Sequence, residues 1–422
     1  MAKVKIQGHA SGTGVLTVTA PNTSTDRTIT LPDATGTLLN TDGSGASLTA
    51  LNATQLTSGT VPDSRFPATL PAISGANLTG ITAPNPNIII NGAMQVAQWS
   101  TSTVAVSGGS NEGFTTVDRW NCQFGGDPSG ALTLSRDTES PAGFGHSLKI
   151  DCTTTGSASG NQTVYIKQPI EARDMRSCGW EYTSTSSYIT LSFWVRSSKT
   201  GTYCIALLDQ DASDKMYTAE YTVSSANTWE KKSMSIPGHA DLQFDDNVNL
   251  GLDVFFMFLN DSLAGTANQW GGAAYGTSNQ VNFLDSTSNV MYLTGVKLEV
   301  GNTATDYRHR SYDEELRLCQ RYYQTYDAVR AQFSRQGQHS DFDGHVQGFF
   351  FSHPTMRATP TLSRQNQYTW YGNDSSWTST SNKWSVSALN NSMVGLGGSY
   401  DGSTGDSISQ VKTDITLDAE VT

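Results

Sequence analysis

Residues 189–196, Ile189-Thr190-Leu191-Ser192-Phe193-Trp194-Val195-Arg196, decide the fold class because large apolar side chains recur at every second position. When the period is two, alternate side chains lie on opposite faces of a β-strand, and one of these faces packs against a core. Similar runs, separated by turn residues and without an intervening helical period, lie at residues 147–152, 163–167, 203–208, 231–236, 250–258 and 290–299. This pattern predicts an all-β fold, with an antiparallel sandwich or jelly roll over residues 87–310.

The composition agrees with short strands and argues against two kinds of partner. Of the 422 residues only 15% are charged, whereas long solvated helices need charged side chains on their outer faces. The net charge is −12 at pH 7, and the chain lacks the concentrated Lys and Arg that bind nucleic-acid phosphates. Its longest apolar runs are far shorter than the ~20 residues of a membrane-spanning helix. We therefore expect no nucleic-acid partner and no membrane span.

The cysteines do not form the pattern of a disulfide framework. They are sparse, odd in number and free of any CxxC pair, which also argues against a zinc site. We expect buried free thiols at Cys122, Cys152, Cys178, Cys204 and Cys319.

The first 86 residues differ in composition from the rest of the chain. Among 9 Trp, 16 Tyr and 15 Phe residues, only Phe66 precedes Trp99. Such a segment cannot bury enough apolar surface to order itself alone. Alternating runs at 14–20 and 27–32 predict a small β unit over residues 1–40. Isolated aliphatic residues over 41–86 indicate either a thin shaft, in which three chains close a narrow core, or a flexible linker.

One helix is predicted between the sandwich and the last part of the chain. Ser311 followed by Glu314 makes a capping box. Four residues share one face at helical spacing, namely Tyr312, Leu316, Cys319 and Tyr323. The helix is expected from about Tyr312 to Tyr326, within a connecting segment over 311–327. The strand-like, turn-rich remainder predicts a small β domain over 328–422.

Several stretches resemble a group of bacteriophage proteins. They are residues 87–98, Val117-Asp118-Arg119-Trp120, residues 294–301, His309-Arg310-Ser311-Tyr312, Cys319-Gln320-Arg321-Tyr322-Tyr323 and residues 354–360. Together they are similar to the sandwich module of phage tail-fibre and related virion proteins. The resemblance implies a non-enzymatic virion appendage that is a homotrimer, with a jelly-roll module akin to carbohydrate-binding modules. Residues beyond about 362 match no such pattern.

Six aromatic residues are candidates for binding a ligand, because an exposed ring stacks on a sugar while nearby amides bond its hydroxyls. Two lie in a glycine-rich excursion between strands and four in polar, turn-rich surroundings, and they are Trp270, Tyr275, Trp370, Tyr371, Trp377 and Trp384. The alternative for Trp270 is that it folds back over an edge of the sandwich. The alternative for the four C-terminal residues is packing within a small core.

Two groups of side chains are candidates for holding a metal ion. One alternates at period two, so that its members share a strand face, and consists of His339, Asp341, Asp343 and His345. The other resembles a Ca²⁺ turn loosely and consists of Asp209, Asp211 and Asp214. A solvated strand face and a solvated turn are the respective alternatives. No cofactor is expected beyond such a structural ion.

No catalytic signature occurs in the sequence. The stretch nearest to a GxSxG elbow is Gly156-Ser157-Ala158-Ser159-Gly160, which carries Ala at the nucleophile position. HExxH, Walker and dinucleotide motifs are absent, and so is the repeat of a long β-helix. We therefore expect no enzymatic activity.

With the resemblance, these observations predict a phage tail fibre that binds a host-surface glycan or protein as a homotrimer. Its N-terminal region is expected to attach to other tail or baseplate proteins, and its location is the virion, assembled in the host cytoplasm. A purely structural virion component (baseplate, collar or capsid decoration) is the first alternative. A polysaccharide-degrading tailspike is the second.

Overall fold

A computed structural model of the chain describes residues 11–15, 24–26, 86–157, 159–212, 215–260, 264–332, 344–364, 368–371, 376–379, 384–400 and 410–420. The chain divides into two units, Met1–Thr79 and Gly80–Thr422. The described residues of the first unit, 11–15 and 24–26, contain no strand. The two predicted N-terminal strands lie almost entirely outside the described residues, as do residues 41–85 of the predicted shaft.

The first part of the second unit contains thirteen strands, which include all seven runs predicted from the sequence. Their bounds are β1 Val104–Ser107, β2 Gly113–Phe114, β3 Asn121–Gly125, β4 Ala131–Asp137, β5 Ser147–Thr154, β6 Thr163–Glu171, β7 Tyr188–Ser197, β8 Gly201–Asp209, β9 Lys215–Val223, β10 Glu230–Pro237, β11 Leu250–Asn260, β12 Gln269–Gly271 and β13 Val290–Val300.

These strands form two antiparallel sheets with the connectivity of a jelly roll. One sheet has the order β1-β4-β5-β13-β7-β10, and the other has the order β12-β9-β8-β11-β6-β3-β2. Eight of the strands, β5 to β11 and β13, pair antiparallel from the two ends of the series inward. The first pairs with the last (β5–β13) and the second with the seventh (β6–β11). The third pairs with the sixth (β7–β10) and the fourth with the fifth (β8–β9). A long hairpin wound over two sheets produces this order. The predicted all-β sandwich is confirmed.

The core lies between the two sheets and follows the period-two pattern. Along β11, Leu252, Val254 and Phe256 are buried in this core, while Phe255 and Met257 belong to a separate apolar cluster on the other face. Because consecutive strand residues point to opposite faces, a run that is apolar throughout must be covered on both sides. All five cysteines are free thiols, and four of them are buried as expected, whereas Cys178 is only half-buried.

Two α-helices are present in the described part of the chain, α1 (Ala172–Ser177) and α2 (Tyr312–Gln320). The capping residue of α2 is confirmed, since Ser311 Oγ accepts a hydrogen bond from the backbone N–H of Glu314. The predicted end near Tyr326 is wrong, because β14 begins at Tyr323. No helix in the described residues is long and apolar enough to cross a membrane.

The face that Tyr312, Leu316 and Cys319 share on α2 is not uniformly buried. Tyr312 is 53% exposed, whereas Glu315 and Cys319 are buried. The Glu315 carboxylate accepts a hydrogen bond from the backbone N–H of Asn91 and forms an ion pair with Arg310 at 3.1 Å. A charged residue therefore faces inward, since the buried backbone of Asn91 and the half-buried Arg310 bind its carboxylate.

The C-terminal part of the chain is β-structured, as predicted. Its strands are β14 Tyr323–Gln332, β15 Gly344–Ser352, β16 Thr361–Arg364, β17 Tyr368–Tyr371, β18 Ser376–Ser379, β19 Trp384–Asn390, β20 Met393–Tyr400 and β21 Gln410–Asp418. β14, β16, β17, β18 and β21 form one sheet, and β15, β20 and β19 form another. A small apolar cluster that includes Met356, Val394, Ile415 and Leu417 packs within this region.

Two of the segments that carry the phage resemblance, residues 117–120 and 319–323, meet where the sandwich contacts the C-terminal strands. Arg119 pairs with Glu420, and its guanidinium lies 3.5 Å from the centre of the Tyr322 ring. Nearby, the Glu171 carboxylate binds both Arg321 and the Tyr322 hydroxyl. We call Arg119, Glu171, Arg321, Tyr322 and Glu420 the junction cluster. The Arg119–Glu420 pair is buried and the Arg321–Glu171 pair is partly exposed, and both connect residues far apart in sequence, so the cluster holds the two parts together.

Candidate functional site

The face of the seven-stranded sheet that points away from the sandwich core, called the outer face here, carries an apolar cluster of its own. Its members are Tyr165, Cys204, Ala206, Leu208, Met216, Phe255 and Met257, contributed by β6, β8, β9 and β11. The rings of Tyr165 and Phe255 meet edge to face, with centroids 4.9 Å apart. Two adjacent rings on a sheet surface provide a rigid apolar platform.

The connection between β11 and β13 crosses this face, and we call its residues 264–281 the strap. The strap is joined to the sheet by hydrogen bonds from Asn268 N to Thr218 O (2.7 Å) and from Val281 N to Thr202 O (2.9 Å). Tyr275 of the strap is half-buried and packs on both rings of the platform. It is parallel to Tyr165 at 6.1 Å and edge-on to Phe255 at 5.3 Å.

Beside the aromatic rings lies a buried ion pair. Lys167 Nζ is 2.9 Å from Asp253 Oδ2, and Gln210 donates a hydrogen bond to the same oxygen at 3.0 Å. Burial raises the pKa of Asp253, and the contacts with Lys167 and Gln210 oppose that effect. The ammonium group of Lys167 also lies 5.6 Å from the centre of the Phe255 ring. Charged and aromatic groups are therefore adjacent on this face.

Further polar groups border the platform. The Tyr165 hydroxyl donates to Gln123 Oε1 at 2.8 Å. Glu220 Oε1 accepts hydrogen bonds from Thr277 Oγ1 and from Asn279 Nδ2 of the strap. Gln123 and Glu220 are half-buried and Asn279 is exposed, so solvent reaches this border.

Several buried polar atoms on this side of the molecule have no hydrogen-bond partner in the protein. They include Asp253 Oδ1 and Asn121 Oδ1, whose side chains are completely or almost completely buried. Asn121 is opposite Lys167 in the β3–β6 register, and cross-strand partners share a face. At the strap, both amide atoms of Asn260 and of Gln280 are likewise buried and unpartnered. Each such atom costs about 1–3 kcal/mol unless something else bonds it.

Aromatic rings beside polar side chains suit a polyhydroxylated ligand. A sugar has an apolar face of C–H groups that stacks on a ring and hydroxyls that donate and accept hydrogen bonds. Tyr275 supplies a half-buried ring that packs on Tyr165 and Phe255, while Gln123, Glu220 and Asn279 are the polar side chains that solvent reaches.

Of the two sandwich residues predicted to bind a ligand, Tyr275 lies on the outer face and Trp270 does not. The indole of Trp270 is half-buried against the core between the sheets, 5.3 Å from the Tyr217 ring. Its N–H donates to Pro237 O at 2.7 Å. The structure thus places Trp270 at the edge strand β12, where it covers the end of the sandwich, and ligand binding by Trp270 remains a prediction.

The four C-terminal aromatic candidates lie on strands of two different sheets. Trp370 and Tyr371 belong to β17, and Trp370 is opposite Trp377 of β18. Trp384 belongs to β19 and is opposite Gly398. Only the backbone of these four residues is described, so their predicted ligand contacts remain predictions.

The predicted histidine–aspartate metal group lies largely outside the described residues. His339, Asp341 and Asp343 are not described, and of His345 only the backbone is, at the second position of β15. No group of three or more metal-ligating side chains occurs in the described part of the chain.

The predicted Ca²⁺ turn is held by its own backbone. Asp209 is buried, and its carboxylate accepts hydrogen bonds from the N–H groups of Asp211, Ala212 and Gln243. Burial raises the pKa of Asp209 to about 6, although these hydrogen bonds lower it. Asp214 lies outside the described residues. The carboxylate therefore closes a turn, and binding of Ca²⁺ stays a prediction.

Most outer-face residues were not among the sequence candidates. Tyr165, Lys167, Asp253 and Phe255 lie inside strands that were identified by their core-facing neighbours. One signal was available: residues 254–259 are apolar at every position, which indicates that the second face of this strand is also covered. Which strands lie beside it, and hence which side chains meet there, is not encoded in the local pattern.

Comparison with known proteins gives distant structural likenesses. No protein-family model and no curated protein matches the chain. The enzymatically active domain of tailspike protein 4 from bacteriophage CBA120 is similar over 51% of this chain and 21% of its own, with 14% identity and a TM-score of 0.29. A protein of Bacteroides thetaiotaomicron is similar over 51% of this chain and 100% of its own, with 10% identity and a TM-score of 0.29.

A family 11 carbohydrate-binding module from Clostridium thermocellum, in complex with a β-1,3-1,4-mixed-linked tetrasaccharide, covers 47% of this chain and 96% of its own, with 10% identity and a TM-score of 0.24. All three TM-scores are below 0.5, so none of these likenesses assigns a ligand or an activity to this chain.

Proposed function

We propose that this chain is a non-enzymatic appendage protein of a bacteriophage particle that binds a host-surface glycan through the outer face. The observation that carries the proposal is the half-buried ring of Tyr275, which packs on Tyr165 and Phe255. Beside it lie the polar side chains of Gln123, Glu220 and Asn279 at the border that solvent reaches. The phage assignment rests on the sequence stretches that resemble tail-fibre modules. The fibre is a homotrimer located in the phage tail, and its N-terminal region joins other tail or baseplate proteins.

Glycan binding is tested with the full-length chain on an array of bacterial and plant polysaccharides. Tyr275→Ala removes one ring of the platform and should weaken binding about tenfold, since aromatic contacts contribute roughly 0.5–1.5 kcal/mol beyond the area they bury. Tyr312→Ala is the matched control, because Tyr312 is an exposed tyrosine on α2. Equal affinities of the two variants would place the binding site elsewhere, and no binding of the unaltered chain to any polysaccharide would refute glycan recognition.

The receptor role separates this proposal from a purely structural virion component. The purified chain should bind host cells and compete with the virus for adsorption. Labelling of the chain at the capsid or tail tube, together with no binding to cells, would favour the structural role instead.

The trimer is tested independently by light scattering at micromolar concentration. Three linked sites multiply a weak single-site affinity through effective concentration. A mass of 45.4 kDa, that of one chain, would contradict the trimer. The tailspike alternative predicts release of reducing ends from a bound polysaccharide, whereas a binding protein leaves the polymer intact.

A further inference from the structure

The side of the six-stranded sheet that points away from the sandwich core, called the six-strand face here, carries a row of polar and aromatic side chains. Tyr292 of β13 is opposite both Lys149 of β5 and Arg196 of β7. The residues next to these three along their strands are almost all buried in the core, so the three side chains point outward. All three are half-buried, which leaves part of each in contact with solvent.

The guanidinium group of Arg196 is held in place but only partly used. It lies 5.2 Å from the centre of the Tyr292 ring, and its Nε donates a hydrogen bond to Asn227 O at 2.9 Å. Its Nη1 is 3.8 Å from Glu139 Oε1, which is beyond hydrogen-bond distance. Neither Nη atom donates a hydrogen bond within the described part of the chain, and the side chain is 24% exposed. A fixed and accessible fork of N–H donors matches a carboxylate or a phosphate.

A half-buried indole lies beside this guanidinium. Trp229, the residue before β10, has its ring 6.2 Å from that of Tyr292. Its N–H donates to Glu139 Oε1 at 3.2 Å, which holds the ring in one orientation. A ring fixed at the surface in this way offers the C–H face of a sugar a place to stack.

A second cation lies near the guanidinium. Lys231 of β10 is exposed and opposite Trp194, two residues before Arg196 on the same face. Diagonal neighbours of this kind are about 7–8 Å apart. Lys231 forms no ion pair with a described residue, whereas Lys149 is compensated by Asp151 at 3.0 Å. Arg196 and Lys231 are therefore the cations of this face that an external anion can reach.

Glu139 is the carboxylate that competes for Arg196. Its backbone N–H is bound by Asp137 Oδ1 at 2.8 Å, so its position is set by the turn after β4. Its side chain is 46% exposed and touches Arg196 only at long range. An anionic group that bonds the Nη atoms directly would make the stronger contact.

We propose that the six-strand face is a second carbohydrate site, at which Trp229 stacks on an acidic sugar while Arg196 and Lys231 bind its carboxylate or phosphate. This inference goes beyond the proposed glycan site on the outer face, because the two sites share no residue and lie on different sheets. The chain would then bind two kinds of glycan at the same time.

The first test is an array of neutral, uronic-acid and phosphorylated glycans, probed with the full-length chain at low and high salt. We expect binding to acidic glycans that weakens as salt rises, and the two acidic classes show which anion is preferred. Arg196→Gln should weaken acidic binding at least tenfold. Arg317→Gln is the matched control, because Arg317 is an exposed arginine on α2. Acidic binding that is absent, or that is equal in the two variants, would overturn the site.

A second variant changes binding in the opposite direction. Glu139→Gln removes the competing carboxylate and should raise the affinity for the acidic glycan about threefold. Glu181→Gln is its control, because Glu181 is exposed and lies on the connection between α1 and β7. An affinity that is unchanged or lower in Glu139→Gln, with the fold intact by circular dichroism, would refute the role given to Arg196.

The two proposed sites are separated by comparing Arg196→Gln with Tyr275→Ala. Acidic binding that persists in Tyr275→Ala and is lost in Arg196→Gln would support the second site, even if no neutral glycan bound and the outer-face site failed. Loss of all binding in Tyr275→Ala, with none in Arg196→Gln, would overturn the second site and leave the outer-face site in place.

Discussion

Removing the carboxylate of Glu171 should weaken the attachment of the C-terminal strands to the sandwich. Glu171 is completely buried and accepts hydrogen bonds from Arg321 Nε (2.8 Å), Arg321 Nη2 (2.7 Å) and the Tyr322 hydroxyl (2.7 Å). The Tyr322 hydroxyl is in a buried residue and loses its acceptor in Glu171→Ala, at a cost of about 1–3 kcal/mol. The Arg321 side chain is 32% exposed, so water replaces part of what it loses.

We therefore expect Glu171→Ala to lower the free energy of unfolding by about 3 kcal/mol, less than the loss of a fully buried ion pair. For a large unit this corresponds to a fall of about 6 °C in the melting temperature. Glu171→Gln keeps an acceptor for Tyr322 and should lose roughly half as much.

The assay is denaturant unfolding combined with amide hydrogen exchange of residues 321–323 and 355–357. A double-mutant cycle with Tyr322→Phe isolates the contribution of the hydroxyl, because Phe needs no acceptor. Glu171→Ala with unchanged stability and unchanged exchange would refute the reasoning that this carboxylate joins the two parts. A cycle without coupling would show that the hydroxyl does not depend on it.

Three further predictions follow from buried contacts. Burial favours a higher pKa for Glu171, but hydrogen bonds from Arg321 and Tyr322 outweigh burial and lower the pKa. The stabilising contribution of this carboxylate should therefore be complete above pH ~4.5 and lost as the pH falls further. Equal acid sensitivity of Glu171→Gln and the unaltered chain would contradict this prediction. Gly251→Ala should cost roughly 1–3 kcal/mol in denaturant unfolding, because its Cβ would lie 2.4 Å from the Ala172 Cα, whereas Gly271→Ala, with open space around it, should be neutral. In a thiol-reagent titration of the native chain only the half-buried Cys178 should react early, and all five cysteines should react in denaturant.

The sequence alone was sufficient for the class of fold and for most of the sandwich strands. Period-two alternation in residues 189–196 and 250–258 arises from the geometry of one strand, so it is visible without knowledge of neighbours. The start of α2 was likewise local, since Ser311 caps the backbone three residues on. The absence of disulfides followed from the cysteine count.

The site and the end of α2 depended on contacts between distant residues. Helical spacing extended past Gln320, but the chain turns into β14 because Tyr323 pairs with β21 almost a hundred residues later. Tyr275 was identified as a ligand candidate from its glycine-rich surroundings, whereas its neighbours Tyr165 and Phe255 come from strands that only the jelly-roll order brings together.

What the sequence by itself determined is therefore the alternation of each strand and the uneven distribution of aromatic residues, which are properties of the chain over short distances. What only the tertiary structure decided is which second faces are covered and which charges meet there. Lys167 and Asp253 are 86 positions apart, and the junction cluster joins Arg119 to Glu420 across 301. Buried ion pairs and shared aromatic platforms depend on sheet order, because their partners are adjacent in space and far apart along the chain.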